Sequence, residues 1–82
     1  MTRLPRDVDG RELARRLKGF GYAEVGWKGS HMKYATQQRG SHTVVIPDHH
    51  PLKLGMLQAI LADVAQHCGL SVQELLQQLE LA

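Results

Sequence analysis

Gly29, Ser30 and His31 form a tripeptide between two segments in which polar and apolar residues alternate. A tight turn at Gly29 and Ser30 would place His31 at the edge of a sheet, beside Lys28 and Lys33. An imidazole titrates near neutral pH and can take or give a proton, and lysine ammonium groups attract phosphate. These residue types at this spacing predict a site that handles both protons and phosphates.

An RNA phosphodiester suits such a site because it carries its own nucleophile, the 2′-hydroxyl group. Its cleavage needs a base for the hydroxyl proton, an acid for the leaving oxygen and cations for the developing charge. His31, Lys28 and Lys33 supply much of this, and the backbone amides of Gly29 and Ser30 can hold a phosphate oxygen. We expect Ser30 to serve the turn rather than to act as a nucleophile.

His49 and His50 suggest a metal site, with His42 and Asp48 nearby in the chain. Adjacent side chains in extended backbone point apart, however, and the sequence has no Cys-x-x-Cys or His-x-x-x-His pair. We therefore expect no metal and no cofactor. His49 is instead predicted to border the active face as a second phosphate or proton contact.

Four aromatic side chains could stack on unpaired bases, as proteins that bind single-stranded RNA require. A place in the hydrophobic core is the more common use of so few aromatic residues in a small domain. We expect burial for Trp27, Phe20 and Tyr34, and leave both interpretations open for Tyr22.

The charged residues are distributed unevenly along the chain, although its formal net charge is only +2. Residues 1–40 contain nine Lys and Arg against four Asp and Glu, whereas residues 41–82 contain one against four. This asymmetry predicts that the basic half, including Arg39, contacts a polyanion such as RNA. The alternative is that arginines on an exposed helix face only keep that helix soluble.

Hydrophobic periodicity predicts a helix, three antiparallel strands, a second helix and a short third helix, an α+β fold. The first helix should begin with a capping box of Asp9 and Glu12 and be ended by Gly19 and Gly21. The first strand, residues 22–28, should be half-buried, with Ala23, Val25 and Trp27 on one face and the residues between them on the other.

The second strand, residues 32–36, has its favoured register with Met32 and Tyr34 inward and with His31 and Lys33 in solvent. Residues 37–41 should form a hairpin loop and residues 43–46 a third strand that stops at Pro47. A helix over residues 54–68, ending at Gly69, and a short helix at about 71–81, capped by Ser71 and Glu74, complete the fold. Helices on one face of the sheet would leave the other face free for a ligand.

Eighty-two residues predict a single small domain over residues 1–82, and the one cysteine excludes an internal disulfide. The N-terminus lacks the apolar segment of a signal peptide, and the longest apolar-rich stretch, residues 54–65, is too short to span a bilayer. We expect a cytoplasmic protein that makes no membrane contact.

Three motifs, GSHMKY at 29–34, VIPDH at 45–49 and LKLGMLQAIL at 52–61, resemble the HicA (YcfA-like) toxins of bacterial toxin–antitoxin pairs. The resemblance covers about residues 10–70 and implies a double-stranded-RNA-binding-domain-like fold. It also implies a metal-independent ribonuclease that cuts single-stranded regions of mRNA, uses His31 as the catalytic histidine and is neutralised by a HicB-like antitoxin. Met56 departs from the family, which usually has threonine there, and the C-terminal helix is an addition.

Two other interpretations stay open at the level of the sequence. One is a non-catalytic RNA-binding module, which would tolerate loss of His31 with a modest change in affinity. The other is an interaction domain whose basic first helix binds an acidic protein, and which would show no RNA affinity that falls with salt.

Overall fold

In the part of the chain that the structure describes, three antiparallel strands form one sheet and three helices accompany it, in the order that the sequence predicts. The computed structural model describes residues 3–82, so residues 1 and 2 of the predicted domain lie outside the described part. The elements are α1 (Gly10–Gly19), β1 (Ala23–Lys28), β2 (His31–Thr36), β3 (His42–Pro47), α2 (Leu54–Cys68) and α3 (Val72–Gln78). This confirms the α+β architecture, and the closer likeness to a double-stranded-RNA-binding domain stays a prediction.

The central strand β2 separates a covered face of the sheet from an open one. Met32, Tyr34 and Thr36 are buried, whereas His31 and Lys33 are exposed, so burial alternates along the strand. The buried residues of β2 and β3 join those of the helices in one hydrophobic cluster. The predicted register with His31 outward is therefore confirmed.

Strand β1 differs from the half-buried strand predicted from its alternation. Glu24 pairs with Tyr34 and Gly26 pairs with Lys33, so Val25 is an extra residue in a β-bulge. The bulge reverses the alternation, and Glu24 therefore shares the helix-covered side with Trp27 rather than with Gly26. The predicted faces of this strand were wrong for that reason.

Burial of the aromatic residues was predicted correctly for Tyr34 but not for Trp27. Trp27 is 45% exposed because β1 lies at the edge of the sheet, beyond the fully buried core. Tyr34 is buried, Phe20 is partly buried against the core, and Tyr22, for which both interpretations were open, is buried.

Helix α1 has the predicted bounds but not the predicted cap. Asp9 occupies the N-cap position without a side-chain hydrogen bond. Glu12 instead lies 2.6 Å from Arg15 Nη2 and 2.8 Å from Arg16 Nε, and these hydrogen bonds lower the pKa of Glu12. Two guanidinium groups on the same helix outcompete one backbone N–H for this carboxylate.

The two C-terminal helices begin and end with recognisable local signals. Helix α2 starts after Lys53, which makes no side-chain cap, and stops at Gly69, whose φ of 70° is left-handed. Before α3, the Ser71 hydroxyl accepts from the Glu74 N–H at 3.0 Å and Glu74 Oε1 accepts from the Ser71 N–H at 2.9 Å. The predicted capping box is confirmed, and α3 is shorter than expected. In the described part of the chain, no helix is both long and apolar enough to cross a membrane.

Candidate active site

A cleft of about 610 Å³ opens on the face of the sheet that the helices leave uncovered. His31 and Lys33 from β2 and Lys28 from β1 bring one imidazole and two ammonium groups to it. A Cβ at Gly26, opposite Lys33, would meet no atom within 4 Å, so the space beside this lysine is open. The lining residues are Val25, Gly26, Trp27, Lys28, Gly29, His31, Lys33 and Val45.

The position of His31 is fixed by backbone contacts on both sides. Gly29 adopts a left-handed φ of 61°, which closes the turn between β1 and β2 and pairs Lys28 with His31. On the other side His31 pairs with Pro47, and the Ser30 carbonyl accepts from the Asp48 N–H at 2.8 Å. His31 therefore lies on a strand that is paired along both edges, while its imidazole is exposed to solvent.

The structure brings together four of the seven site residues predicted from the sequence. Lys28, Gly29, His31 and Lys33 line the cleft, and Ser30 lies in the turn beside it. Arg39 lies in the hairpin at the other end of β2, and that strand alone spans about 17 Å from His31 to Thr36 at the usual rise per residue. Its guanidinium donates to the carbonyl of Cys68 at the end of α2.

His49 is exposed in the connection that follows β3, outside the lining of the cleft. Its backbone carbonyl accepts from the N–H of Gly10 at 2.9 Å, which joins this connection to the start of α1. The proposed contact of the His49 side chain with RNA stays a prediction.

An ion-pair network behind the His31 turn was not predicted from the sequence. Arg11 donates through Nε and Nη2 to the two carboxylate oxygens of Asp48, each at 3.1 Å. Asp48 Oδ1 also lies 3.2 Å from His50 Nε2, and His50 Nδ1 lies 3.4 Å from Asp9 Oδ2. The hydrogen bonds from Arg11 lower the pKa of Asp48. Arg11 and Asp48 are 37 residues apart, so only the fold reveals the pair.

A second polar cluster lies near the opposite end of the sheet. His42 Nδ1 is 2.8 Å from the Tyr22 hydroxyl, and His42 Nε2 is 3.2 Å from Asp63 Oδ1. The His67 ring stacks on that of His42 with centroids 4.4 Å apart. Burial raises the pKa of Tyr22 to about 12, so its hydroxyl stays protonated at neutral pH. These contacts join β3 to α2 and give two histidines a structural role.

Within residues 3–82, no three His, Cys, Asp or Glu side chains are grouped as ligands for a metal ion. His50, one of the two adjacent histidines considered from the sequence, is engaged by Asp9 and Asp48.

The fold and the cleft define a small α+β domain with an exposed histidine between two lysines on an open sheet face. A scan against protein-family models matches residues 10–66 to the family described as HicA toxin of bacterial toxin–antitoxin. The chain belongs to this family and is the toxin of a toxin–antitoxin pair, so an antitoxin is its partner. No curated protein and no solved structure matches the chain.

Proposed function

We propose that this toxin is a metal-independent endoribonuclease that cleaves single-stranded regions of mRNA in the cytoplasm, with His31 as its catalytic residue. The observation that carries the proposal is the cleft in which His31 stands exposed between Lys28 and Lys33. A histidine can exchange a proton at neutral pH, and the two lysines can bind the phosphate whose charge grows in the transition state.

In the proposed reaction His31 acts as a general base on the 2′-hydroxyl of the bound RNA. The 2′-oxygen attacks the adjacent phosphorus, the bond from phosphorus to the 5′-oxygen breaks, and the leaving oxygen takes a proton from solvent. The products are a 2′,3′-cyclic phosphate and a 5′-hydroxyl. The reaction uses only the nucleophile that RNA carries, which explains why the mechanism requires no metal ion.

The nature of the products tests this reaction class. We expect the purified toxin to cleave a single-stranded RNA in excess chelator, and we expect DNA of the same sequence to stay intact because it lacks the 2′-hydroxyl. The RNA termini can be identified by mass spectrometry. Activity that is lost in chelator and restored by Zn²⁺ or Mn²⁺, or products with a 5′-phosphate, would contradict the proposed mechanism.

The two lysines of the cleft should account for part of the salt dependence of RNA binding. In a His31→Ala background that prevents cleavage, Lys28→Ala and Lys33→Ala should each weaken binding and reduce the slope of log affinity against log salt by about 0.7. The slope can be measured by fluorescence anisotropy with a labelled single-stranded RNA.

Arg39→Ala provides the matched control because Arg39 carries the same charge at the other end of β2. Its slope should stay close to that of the parent protein. A larger change in this slope for Arg39→Ala, or for Arg15→Ala on α1, would show that RNA binds to a surface other than the cleft.

The same cleft is the surface that we propose for a HicB-like antitoxin. A protein that covers His31 and presents carboxylates to Lys28 and Lys33 would exclude RNA and neutralise the toxin, and its association would slow at high salt. Cross-linking of the pair that leaves His31 accessible in a fully inhibited complex would contradict this mode of neutralisation.

A further inference from the structure

Trp27 is a large aromatic residue that the core does not use. Its side chain is 45% exposed and borders the same cleft as His31 and Lys33. It pairs with Met32, directly beside the pair of Lys28 and His31. Met32 is buried under the helices, so the indole leaves β1 on the helix-covered side of the sheet, whereas Lys28 and His31 face the cleft. Trp27 meets that cleft at the open edge of the sheet, where β1 has no further partner strand within residues 3–82.

The indole is held from the side of α1. The guanidinium carbon of Arg11 lies 5.5 Å from the ring centroid, within the range of a cation–π contact. Arg11 is itself fixed by its two hydrogen bonds to Asp48, whose backbone N–H binds the carbonyl of Ser30. One network thus connects the indole to the turn that carries His31.

The indole, the lysines and the histidine together match the chemistry of a nucleotide. A planar ring offers a stacking surface to a base. An RNA strand that crosses the edge of β1 would place one base on the indole and a neighbouring phosphate at the ammonium groups of the cleft. Unpaired bases stack on aromatic side chains in proteins that bind single strands, and such stacking tolerates any base because each has a π face.

We propose that Trp27 is a stacking platform for one unpaired base of an RNA strand that crosses the edge of β1 and has its scissile phosphate at His31. This inference rests on the proposed function, because it takes single-stranded RNA as the substrate. It adds a binding site for a base to a cleft that otherwise contacts the phosphate and the 2′-hydroxyl. We therefore also expect paired RNA to be a poor substrate, because a base inside a duplex is not free to stack on the indole.

The chain offers a direct probe because Trp27 is its only tryptophan. We expect a short single-stranded RNA to quench the fluorescence of the His31→Ala protein. The titration is repeated with the same RNA carrying one abasic nucleotide at each position in turn. One position should account for most of the quenching and should show the largest loss of affinity.

Replacement of Trp27 gives the complementary measurement. Stacking of one base contributes about 1–3 kcal/mol, so Trp27→Ala should weaken RNA binding by about 5- to 150-fold. In the Trp27→Ala variant, the abasic nucleotide at the responsive position should cause little further loss of affinity. A double-mutant cycle gives this result when the base and the indole are in direct contact. Trp27→Phe should restore much of the affinity, whereas Trp27→Leu, of similar apolar character, should not. Met56→Ala is the control, because Met56 is also exposed and apolar but lies on α2.

The inference is overturned if Trp27→Leu binds RNA as tightly as Trp27→Phe, if the indole fluorescence does not respond to RNA, or if every abasic position behaves alike. It is also overturned if Trp27→Leu weakens binding of the antitoxin and leaves RNA binding unchanged, which would make the indole a contact for a protein. The comparison of Leu with Phe stays decisive if the alanine variant does not fold. Each of these results leaves cleavage by His31 intact, whereas cleavage by the His31→Ala protein would refute the proposed function instead.

Discussion

Replacement of His31 by alanine is expected to lower the rate of RNA cleavage by about 10²- to 10⁴-fold, the usual contribution of a general acid or base. The side chain is exposed on the open face of β2 and lies outside the hydrophobic core. Its removal should therefore leave the fold, and the temperature at which it unfolds, close to those of the parent protein. Production of this variant in a bacterial host should no longer arrest growth.

The rate must be measured together with RNA affinity, because the two readouts separate an enzyme from a binding module. An enzyme that loses its base keeps most of its affinity and loses turnover. His49→Ala extends the test to the prediction that His49 is a second phosphate or proton contact. If the folded His31→Ala protein cleaves RNA at the parental rate, His31 is not the catalytic residue. If neither the parent protein nor the His31→Ala protein cleaves RNA but both bind it, the non-catalytic module is the better description.

The outward position of His31 could be predicted because β2 is the central strand of the sheet. Both of its edges are paired, so each inward residue meets the core and each outward residue meets solvent, with no bulge to shift the alternation. A register shifted by one residue would bury a histidine and a lysine and expose Met32 and Tyr34. The energetic penalty for that alternative is large enough for the sequence to reveal the register.

The first strand lacked such a constraint. An edge strand has one partner, and the extra residue at Val25 changes which side chains share a face without any clear mark in the alternation. Gly26 was the only local signal, since a glycine inside a strand often accompanies a bulge. The exposure of Trp27, on which the base-stacking proposal depends, follows from these two features.

Long-range contacts decide which residues lie at the site, and the periodicity of the sequence does not reveal such contacts. Arg39 and Lys33 are six residues apart in the chain, yet the hairpin takes Arg39 to the end of α2. Arg11 lies on the first helix, whereas its partner Asp48 lies beyond the last strand. Asp9 was expected to form a cap with Glu12, but the arginines one turn further along α1 bind Glu12 instead.

The largest change in stability from a minimal substitution is expected at Gly10. Gly10 is buried at the start of α1, and its N–H donates to the carbonyl of His49 at 2.9 Å. A Cβ at this position would overlap the carbonyl oxygen of Pro47 and lie 3.1 Å from the carbonyl carbon. These are backbone atoms of β3, so no side-chain rotation can relieve the overlap, and α1 or the end of β3 must move. Gly10→Ala should therefore lower the free energy of unfolding by about 1–3 kcal/mol or more.

Gly19→Ala is the matched control, because it is the same substitution at the other end of the same helix. A Cβ at Gly19 would meet no atom within 4 Å, so alanine should be neutral there or stabilise the fold by up to about 0.5–1 kcal/mol through its helix propensity. Urea unfolding followed by circular dichroism measures both free energies.

Pro47 pairs with His31, so the displacement caused by Gly10→Ala should also reduce RNA cleavage under conditions in which the protein is still folded. Equal stabilities for the two variants would show that α1 does not pack closely against the end of β3, and the connection from α1 to the His31 turn would then lose its structural basis.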